Sequence, residues 1–479
     1  MPTHILLLSG FVALASASAS AQSPYAVTAP PPAGYDRAVG QRVTREHLER
    51  LIRLDTQNPP GNELLTARYF DSVFKQIPGV TTHVLVSAPN RANFVARLRA
   101  AAASKRPVLI MGHMDVVGAD TARWETDPFV PTEKNGYIYG RGAIDDKGML
   151  AAAAAALQQL ATHRDRLTRD VIFLATAAEE GGDVGIEVVV DKHLDLIRDA
   201  EFALNEGGRV RLQDGFVRTV NVQTTEKVSY NVVATATGPS GHGSVPLPDN
   251  ALAALARAVG RVHHWRAPVR LNETTRLYFA RLATIEKDTI VRRAMQQVSG
   301  AQSTPAQVTA AADLLSRDPL YSAVLRTGQS LTLLSGGIRS NVIPSEGRAT
   351  FNVRVLPNDD VREVVREMQR VGAESQVTFR LTGGPQPSPP PSPVASDLFR
   401  AMEAAAKAME PRTTVIPFMS TGATDGAVLR TRGIPTYGIL PMPLPMEDEL
   451  RMHGDNERVP IEALGWAAEY LYRVLVGVM

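Results

Sequence analysis

Short, largely apolar runs recur in the first half of this chain of 479 residues, and glycine and polar side chains follow them. The clearest runs are residues 107–111, 170–176 and 201–204, and an Ala- and Leu-rich stretch over 149–161 has the character of a helix. Apolar runs of this length are typical of strands that a parallel sheet buries on both faces. Strands that alternate with helices predict an α/β domain with a mostly parallel central sheet.

A different pattern begins after about Thr225. Residues 228–237 alternate apolar and polar side chains, as a half-buried strand does, and residues 250–262 place apolar side chains on one helical face. A second pair follows, with an alternating strand over 350–355 and a helix that Asp359 would cap. This order of strands and helices predicts an α+β domain inserted into the first one.

The α/β pattern resumes after a Pro-rich linker over residues 383–393. Helices are predicted from Asp397 and from Ile461, with a strand near residues 434–440 between them. The predicted division is a signal peptide over 1–21, a lead-in segment over 22–42, a catalytic domain over 43–225 and 384–479, and an inserted domain over 226–383.

The N-terminal residues have the features of a secretory signal. An apolar run over 5–15 is followed by small residues that end in Ala19-Ser20-Ala21, which predicts cleavage after Ala21. The run is too short to span a bilayer. We therefore expect an exported protein, periplasmic or secreted, with no membrane span after cleavage.

Any metal site in this chain has to be built from His, Asp and Glu, because the sequence contains no cysteine. Histidine is scarce, with ten residues, so each one near a carboxylate is a candidate ligand. The net charge of +2 does not indicate a polyanion binder, and no nucleic-acid partner is expected.

Five polar clusters carry the candidate chemistry, four of them in the first α/β segment and one before the last helix. They are His113 and Asp115 within 112–115, Asp145 and Asp146 within 140–148, Glu179 and Glu180 within 178–182, Glu206 within 205–208, and His453 within 453–457. Taken alone, each carboxylate fits an exposed loop or a helix cap, and each histidine a structural role. Gathered at one edge of a sheet, they suit two divalent ions bridged by a carboxylate and a water.

These motifs resemble those of the two-zinc metallopeptidase family that includes aminoacylase, glutamate carboxypeptidase, succinyl-diaminopimelate desuccinylase and carnosine-type dipeptidases. The resemblance rests on GHMDVV, GRGAIDDKG, ATAAEEGG and HGDNERV, which occur in the family's order along nearly the whole mature chain. The length between Trp265 and Leu331 is most similar to the Gly-X carboxypeptidase and N-acyl-amino-acid hydrolase branch. The resemblance implies a zinc-exopeptidase-like catalytic domain, an inserted ferredoxin-like dimerisation or lid domain, and a homodimer.

The resemblance also implies a role for each motif residue. The metal ligands would be His113, Asp145, Glu180, Glu206 and His453. Asp145 would bridge the two ions, and its peptide bond to Asp146 would be cis. Glu179 would be the general base, and Asp115 the partner of His113. The implied cofactor is two Zn²⁺ per chain, although Co²⁺ or Mn²⁺ also suit these ligands.

Substrate contacts are implied in the inserted domain and in a later loop. His242 lies among small residues, where the family places a histidine, often from the partner subunit, that stabilises the oxyanion. Arg354 by spacing alone would be a solvated residue, but the resemblance places it with Asn341 at the substrate carboxylate. Thr421 and Gly422 match a substrate-lining loop.

The expected reaction is hydrolysis of an amide bond next to a free carboxylate, in a small peptide or an N-acyl amino acid. A carboxypeptidase or dipeptidase is the first reading, and an aminoacylase-type amidohydrolase is the alternative. A catalytically silent binding protein would be expected to have lost a ligand or Glu179, and neither is lost. A two-metal phosphatase is disfavoured because the candidate clamp is a single arginine rather than a basic cluster.

Overall fold

A computed structural model describes residues 23–384 and 386–479. The predicted signal peptide over residues 1–21 lies outside the described residues. Among the described helices, none has the length and apolar character needed to cross a membrane.

The described residues form nineteen strands. These are β1 (Gln57–Asn58), β2 (Val80–Ala88), β3 (Arg91–Leu98), β4 (Val108–His113), β5 (Val116–Val117), β6 (Thr132–Lys134), β7 (Tyr137–Tyr139), β8 (Val171–Thr176), β9 (Phe202–Gln213), β10 (Phe216–Glu226), β11 (Val228–Thr237), β12 (Gly241–His242), β13 (Gly328–Gly336), β14 (Val342–Ile343), β15 (Glu346–Val355), β16 (Val377–Thr382), β17 (Thr414–Ser420), β18 (Thr436–Leu444) and β19 (Arg458–Pro460).

The same residues form fourteen α-helices. These are α1 (Arg37–Ile52), α2 (Leu64–Phe74), α3 (Lys147–Ala161), α4 (Ile186–Lys192), α5 (Ala251–His264), α6 (Glu273–Leu282), α7 (Thr289–Ser299), α8 (Pro305–Leu315), α9 (Pro319–Leu325), α10 (Val361–Gly372), α11 (Asp397–Met409), α12 (Gly426–Thr431), α13 (Met446–Glu449) and α14 (Ile461–Gly477).

The main sheet has eight strands in the order β17-β10-β18-β9-β4-β8-β3-β2. Its four central strands, β18, β9, β4 and β8, run parallel to one another. Antiparallel pairings occur where β10 meets β9 and β18, and where β3 meets β8 and β2. The expected α/β fold is therefore confirmed, with a parallel centre inside a mixed sheet.

Strand β4 shows why the central strands are apolar throughout. Val108 and Ile110 contribute to the larger hydrophobic core, while Leu109 and Met111 contribute to a separate core. Because successive side chains of a strand point to opposite faces, a strand covered on both faces needs apolar residues at every position. Helices α1, α3 and α14 pack together in the larger core.

A second, antiparallel sheet has four strands in the order β13-β15-β11-β16. Helices α5 and α10 pack against each other over it, and the two helices and three of the strands share one hydrophobic core. A single residue, Lys227, separates β10 of the main sheet from β11 of the second. Strand β13 lies at the edge of the second sheet, and its Leu333 and Leu334 are exposed.

The polar stretch between α5 and β13 folds into four helices, α6 to α9. Their apolar faces form a core of their own around Phe279 and Met295, which also includes Met419 of β17. Helix α6 packs directly on β17. This helical insertion therefore lies against the edge of the main sheet.

Three local expectations differ from the structure. The cap of α10 is Asp360, which accepts from Arg362 N–H at 2.8 Å, and not Asp359, whose carboxylate pairs with Arg270 at 3.0 Å. Strand β9 does not end before Glu206 but continues to Gln213, because its second half pairs with β10. The lead-in residues 23–34 form no helix or strand, yet Tyr25 and Val27 pack against the main core.

Candidate active site

The polar clusters converge at the carboxyl ends of the central strands. His113 is the last residue of β4 and lies opposite Thr176, the last residue of β8. Glu179 and Glu180 follow β8 within four residues, and Glu206 lies on β9, the other neighbour of β4. Parallel strands deliver their following residues to one edge of the sheet, which is how residues distant in sequence meet here.

Asp145 lies between the two candidate histidine ligands. Its Oδ1 is 2.9 Å from His113 Nε2, and its Oδ2 is 3.1 Å from His453 Nε2. His453 Nε2 also lies 3.0 Å from Glu180 Oε1. Each oxygen of Asp145 therefore faces a different histidine, which is the arrangement that a carboxylate bridging two ions requires.

A buried carboxylate holds the loop that presents Asp145. Glu457 accepts from Arg141 Nη1 at 2.9 Å and from the backbone N–H groups of Gly142, Ile144 and Asp145 at 3.0, 2.7 and 3.2 Å. The peptide bond between Asp145 and Asp146 is cis, as expected. The His453 cluster thus supplies a candidate ligand and, four residues later, the anchor of the Asp145 loop.

The electrostatics of the site fit bound cations. Burial raises the pKa of Glu206 to about 8, and Asp145 adds to the effect. Burial also raises the pKa of Glu179 well above its usual range, with contributions from Glu206 and Asp425. Carboxylates buried close together resist ionisation. The positive charge of a bound divalent ion would stabilise their ionised forms.

The candidate ligand atoms also lie close enough together to bind a metal ion. Ligand atoms of His113, Asp145 and Glu180 all lie within 4.8 Å of one another. Glu180 Oε1 is buried but makes no hydrogen bond of acceptable geometry, although His453 Nε2 is near it. Histidine nitrogens and carboxylate oxygens are ligands that Zn²⁺, Mn²⁺ and Co²⁺ accept. The residues present therefore fit metal binding.

Asp115 positions the turn that carries Glu179 and Glu180. Its Oδ1 accepts from Glu179 N–H and its Oδ2 from Glu180 N–H, both at 3.1 Å. Asn58 Nδ2 donates to the same carboxylate at 2.8 Å. The ring of His113 meets the backbone carbonyl of Asp115, with Nδ1 at 3.0 Å from that oxygen. Asp115 thus contacts His113 chiefly through its backbone, while its carboxylate orders the acidic turn.

A cavity of about 530 Å³ opens over this cluster. Its walls include Asp145, Glu179, Glu180, Glu206 and His453, together with Arg354 and Gly422 from the predicted substrate-binding set. Arg354 is half-buried, and among the described residues no carboxylate pairs with it. An unpaired guanidinium in the wall of an acidic cavity is suited to a carboxylate of a bound molecule.

Three of the predicted catalytic and substrate-binding residues do not line this cavity. They are His242, Asn341 and Thr421, although Ser420 and Gly422 on either side of Thr421 do line it. His242 and Asn341 belong to the short β12–β14 region, where His242 pairs with Val342 and Gly243 N–H donates to the Asn341 carbonyl at 2.8 Å. His242 is exposed there. Within one chain the structure does not bring these two residues to the cluster.

Sequence reasoning missed several residues of the site. No local pattern marks Asn58 as a site residue, and the sequence does not show that Glu457 anchors the Asp145 loop. Asp425 is buried, accepts from Thr176 Oγ1 at 2.7 Å, and has a pKa that burial raises to about 7. Arg209 lines the cavity three residues after Glu206. Of these residues, Glu457 has a signal in the sequence, because it lies within the HGDNERV motif, whereas the place of Arg209 depends on the continuation of β9 past Glu206.

Known proteins share both the sequence and the fold. The profile of peptidase family M20/M25/M40 matches residues 109–476. Human N-fatty-acyl-amino acid synthase/hydrolase PM20D1 is 25% identical over 452 residues, which cover 90% of this chain and 87% of that protein. A probable carboxypeptidase S-like 2 of Dictyostelium discoideum is 27% identical over 393 residues, covering 78% and 72% respectively.

Among solved structures, human carnosine dipeptidase 1 has a TM-score of 0.67 to this chain at 16% identity, covering 94% of this chain and 99% of that one. The fold is therefore shared across nearly the full described length. Since the family profile spans well over half of the sequence, the chain belongs to peptidase family M20/M25/M40 and is a metal-dependent hydrolase.

Proposed function

We propose that this protein hydrolyses an amide bond next to a free carboxylate, with two zinc ions as its cofactor. The observation that carries the proposal is the position of Asp145, whose two oxygens face His113 and His453 on the floor of a cavity that Arg354 also lines. An acidic, histidine-containing cluster and a guanidinium that pairs with no carboxylate of the described residues suit, in one cavity, a substrate that has an amide and a carboxylate.

Five side chains would hold the metal ions. His113 with Glu206 would serve one ion, His453 with Glu180 the other, and Asp145 both. When bound, the ions would lower the pKa of a water molecule and polarise the amide carbonyl. Zinc is proposed because His and carboxylate ligands in a buried site are typical of it, and Co²⁺ or Mn²⁺ would suit the same ligands.

Glu179 would act as the general base and then as the general acid. It lies half-buried in the cavity wall, and Asp115 accepts from its backbone N–H. Its carboxylate would take a proton from the attacking water as the C–O bond forms, and would give that proton to the amine nitrogen as the C–N bond breaks. The products are a carboxylic acid and a free amine.

Arg354 would select which end of the substrate enters. Its guanidinium would bind the terminal carboxylate, so that the amide one residue away lies at the metal cluster. Carboxypeptidase or dipeptidase action is the first reading. Hydrolysis of N-acyl amino acids is the second candidate, supported by the 25% identity to a human N-fatty-acyl-amino acid synthase/hydrolase over 90% of this chain.

The cellular location and the oligomeric state of the protein are also proposed. Export to the periplasm or the medium rests on the sequence of residues 1–21. A homodimer is supported by the exposed leucines of the edge strand β13, because such an edge is a ready surface for pairing with another chain. In that dimer, His242 of the partner subunit would stabilise the oxyanion of the reaction.

The test is release of free amine from a panel of dipeptides and N-acyl amino acids by the zinc-loaded mature protein. Glu179→Gln should lower turnover by about 10²–10⁴-fold, because it removes the general base, while the bound zinc stays at the parental level. Glu180→Gln, one residue away, should instead lower the zinc content. Amide-capped substrates should be poor because Arg354 lacks its partner. Full turnover by Glu179→Gln, or equal turnover of capped substrates, would contradict the proposal.

A further inference from the structure

A second cavity, of about 270 Å³, adjoins the catalytic cavity. The two share four lining residues, which are Ser229, Ala423, Thr424 and Val428. The side cavity therefore lies directly beside the catalytic one, with these four residues between or along both.

The accessible wall of the side cavity is apolar. Val228, Ala427, Pro387 and Pro389 line it, and none of the five candidate metal ligands does. A ligand group in this cavity therefore meets aliphatic and proline carbon atoms over much of its surface.

The charged residues of the lining already hydrogen-bond within the protein. Glu226 accepts from Arg430 Nη2 at 2.9 Å, from Thr424 Oγ1 at 2.9 Å and from Gln223 Nε2 at 2.7 Å. Lys227 Nζ donates to the Arg326 carbonyl at 2.5 Å. Because the one carboxylate of the lining is paired with an arginine and the rest of the wall is mostly apolar, an apolar group is the one that gains most from entering the cavity.

The side cavity lies beside Arg354. Ser229 on β11 pairs directly with Arg354 on β15, and directly opposed residues of an antiparallel pair point to the same face. Ser229 belongs to both cavities, whereas Arg354 lines the catalytic one only. The part of a substrate nearest the side cavity is therefore the residue whose carboxylate Arg354 would bind.

We propose that the side cavity is the specificity pocket for the residue that bears the free carboxylate, and that it takes a branched aliphatic or aromatic side chain. This inference rests on the proposed function, since it assumes that Arg354 binds the carboxylate. The enzyme then prefers substrates that end in an apolar amino acid over substrates that end in glycine, whatever group lies on the other side of the amide.

The test compares kcat/KM in two series of N-acyl amino acid substrates. One series keeps the acyl group acetyl and varies the amino acid among glycine, leucine and phenylalanine, and the other keeps leucine and varies the acyl length. Ala427→Phe, which fills the side cavity without lining the catalytic one, should lower the leucine-to-glycine ratio by about tenfold or more, as loss of a buried apolar side-chain site predicts. Thr431→Phe, exposed on the same helix, is the matched control and should keep the parental ratio.

The outcomes separate this inference from the proposed function. If Ala427→Phe instead changes the preference for acyl length at constant leucine, the pocket takes the acyl chain and the inference is wrong. An unchanged ratio in a variant with parental melting temperature would also overturn it. If the parent turns over no carboxylate-ended substrate at all, it is the proposed function that fails.

Discussion

Asp115 acts on the candidate site through the backbone of its neighbours. Its carboxylate holds the N–H groups of Glu179 and Glu180, both at 3.1 Å, and the amide of Asn58. An acceptor with two oxygens is required, because each oxygen has an N–H partner. The orientation of the general base therefore depends on a residue that lies outside the catalytic cavity.

Replacement of Asp115 by Asn should lower kcat by about 10–100-fold, in line with the usual effect of removing a group that orients metal ligands. The asparagine amide would present a donor where a backbone N–H also donates, so the turn at Glu179 would shift. Amine release and zinc content measure the effect, with Asp120→Asn as a surface control. Parental kcat in Asp115→Asn would show that the turn holds its shape without this carboxylate.

At the residue scale, sequence reasoning located side chains whose type is unusual for their position. His113 and Glu179–Glu180 lie at or after the ends of apolar strands and the Asp145–Asp146 pair precedes α3, and it is their joint pattern that predicts a function. It did not find Asn58 or Asp425, because their partners, Asp115 and Thr176, are 57 and 249 positions away. A hydrogen bond between distant residues leaves no local pattern.

At the scale of elements, the loop before α3 depends on a single buried carboxylate. Glu457 is 1% exposed and accepts from three backbone N–H groups and from Arg141. Its removal would leave the guanidinium of Arg141 buried without its carboxylate partner. Breaking a buried ion pair in this way costs about 3–5 kcal/mol.

We therefore expect Glu457→Ala to lower the free energy of unfolding by about 3 kcal/mol or more, and Glu457→Gln to lower it less, because glutamine keeps one acceptor oxygen. Urea unfolding in the presence of a chelator measures the protein without a contribution from metal binding. Glu462→Ala, an exposed glutamate of α14, is the control. Equal stability of Glu457→Ala and the parent would mean that the loop is held by other contacts.

Lys227, the only residue between β10 and β11, makes the stability pH-dependent. Burial lowers its pKa to about 8 from an ordinary value of 10.5, and Arg354 adds to the effect. Between these pH values the unfolded chain holds a proton that the folded chain has released. Stability should therefore rise with pH across this window, and the full cost of burying the charge should apply below about pH 8.

The stability of the parent relative to Lys227→Met should accordingly increase between pH 7.5 and 10, by up to about 3 kcal/mol at about 1.4 kcal/mol per pKa unit. The hydrogen bond to the Arg326 carbonyl is lost in the variant at both pH values, so it cancels in the comparison. Chemical unfolding at the two pH values gives the measurement. A constant difference between the two proteins would mean that Lys227 titrates normally.

Elements with a strong local pattern were predicted well. The starts of α11 at Asp397 and α14 at Ile461, and the whole of β11, agree with expectation. The bounds of the four helices α6 to α9 do not follow from the sequence, because their apolar faces are completed by contacts with β17 and with each other. The sequence predicts too short a strand at β9, because the continuation of this strand depends on its pairing with β10.

At the scale of the whole molecule, one chain does not complete the proposed site. His242 is exposed and outside the catalytic cavity, so its proposed role requires a second chain. That role belongs to an assembly, and neither the pattern along one sequence nor the contacts within one chain can establish it.

Complementation between inactive chains tests this role. Chains with Glu179→Gln and chains with His242→Ala should each be nearly inactive, but co-expressed they should recover about a quarter of the parental activity, because about half of randomly formed dimers are mixed and each mixed dimer has one intact site. Two tags isolate the mixed dimer. A mixed dimer without activity would show that His242 acts within its own chain, and an active His242→Ala homodimer would show that it has no role in the reaction.

The position of α14 has a consequence for synthesis on the ribosome. This helix packs on α1, α3, α11 and β18, and His453, a candidate metal ligand, lies just before it. A nascent chain therefore carries the faces of α1 and α3 that pack on α14 uncovered until this last helix has been made. Such a chain depends on chaperones throughout translation, and a premature stop upstream of His453 would leave neither a closed core nor a complete set of ligands.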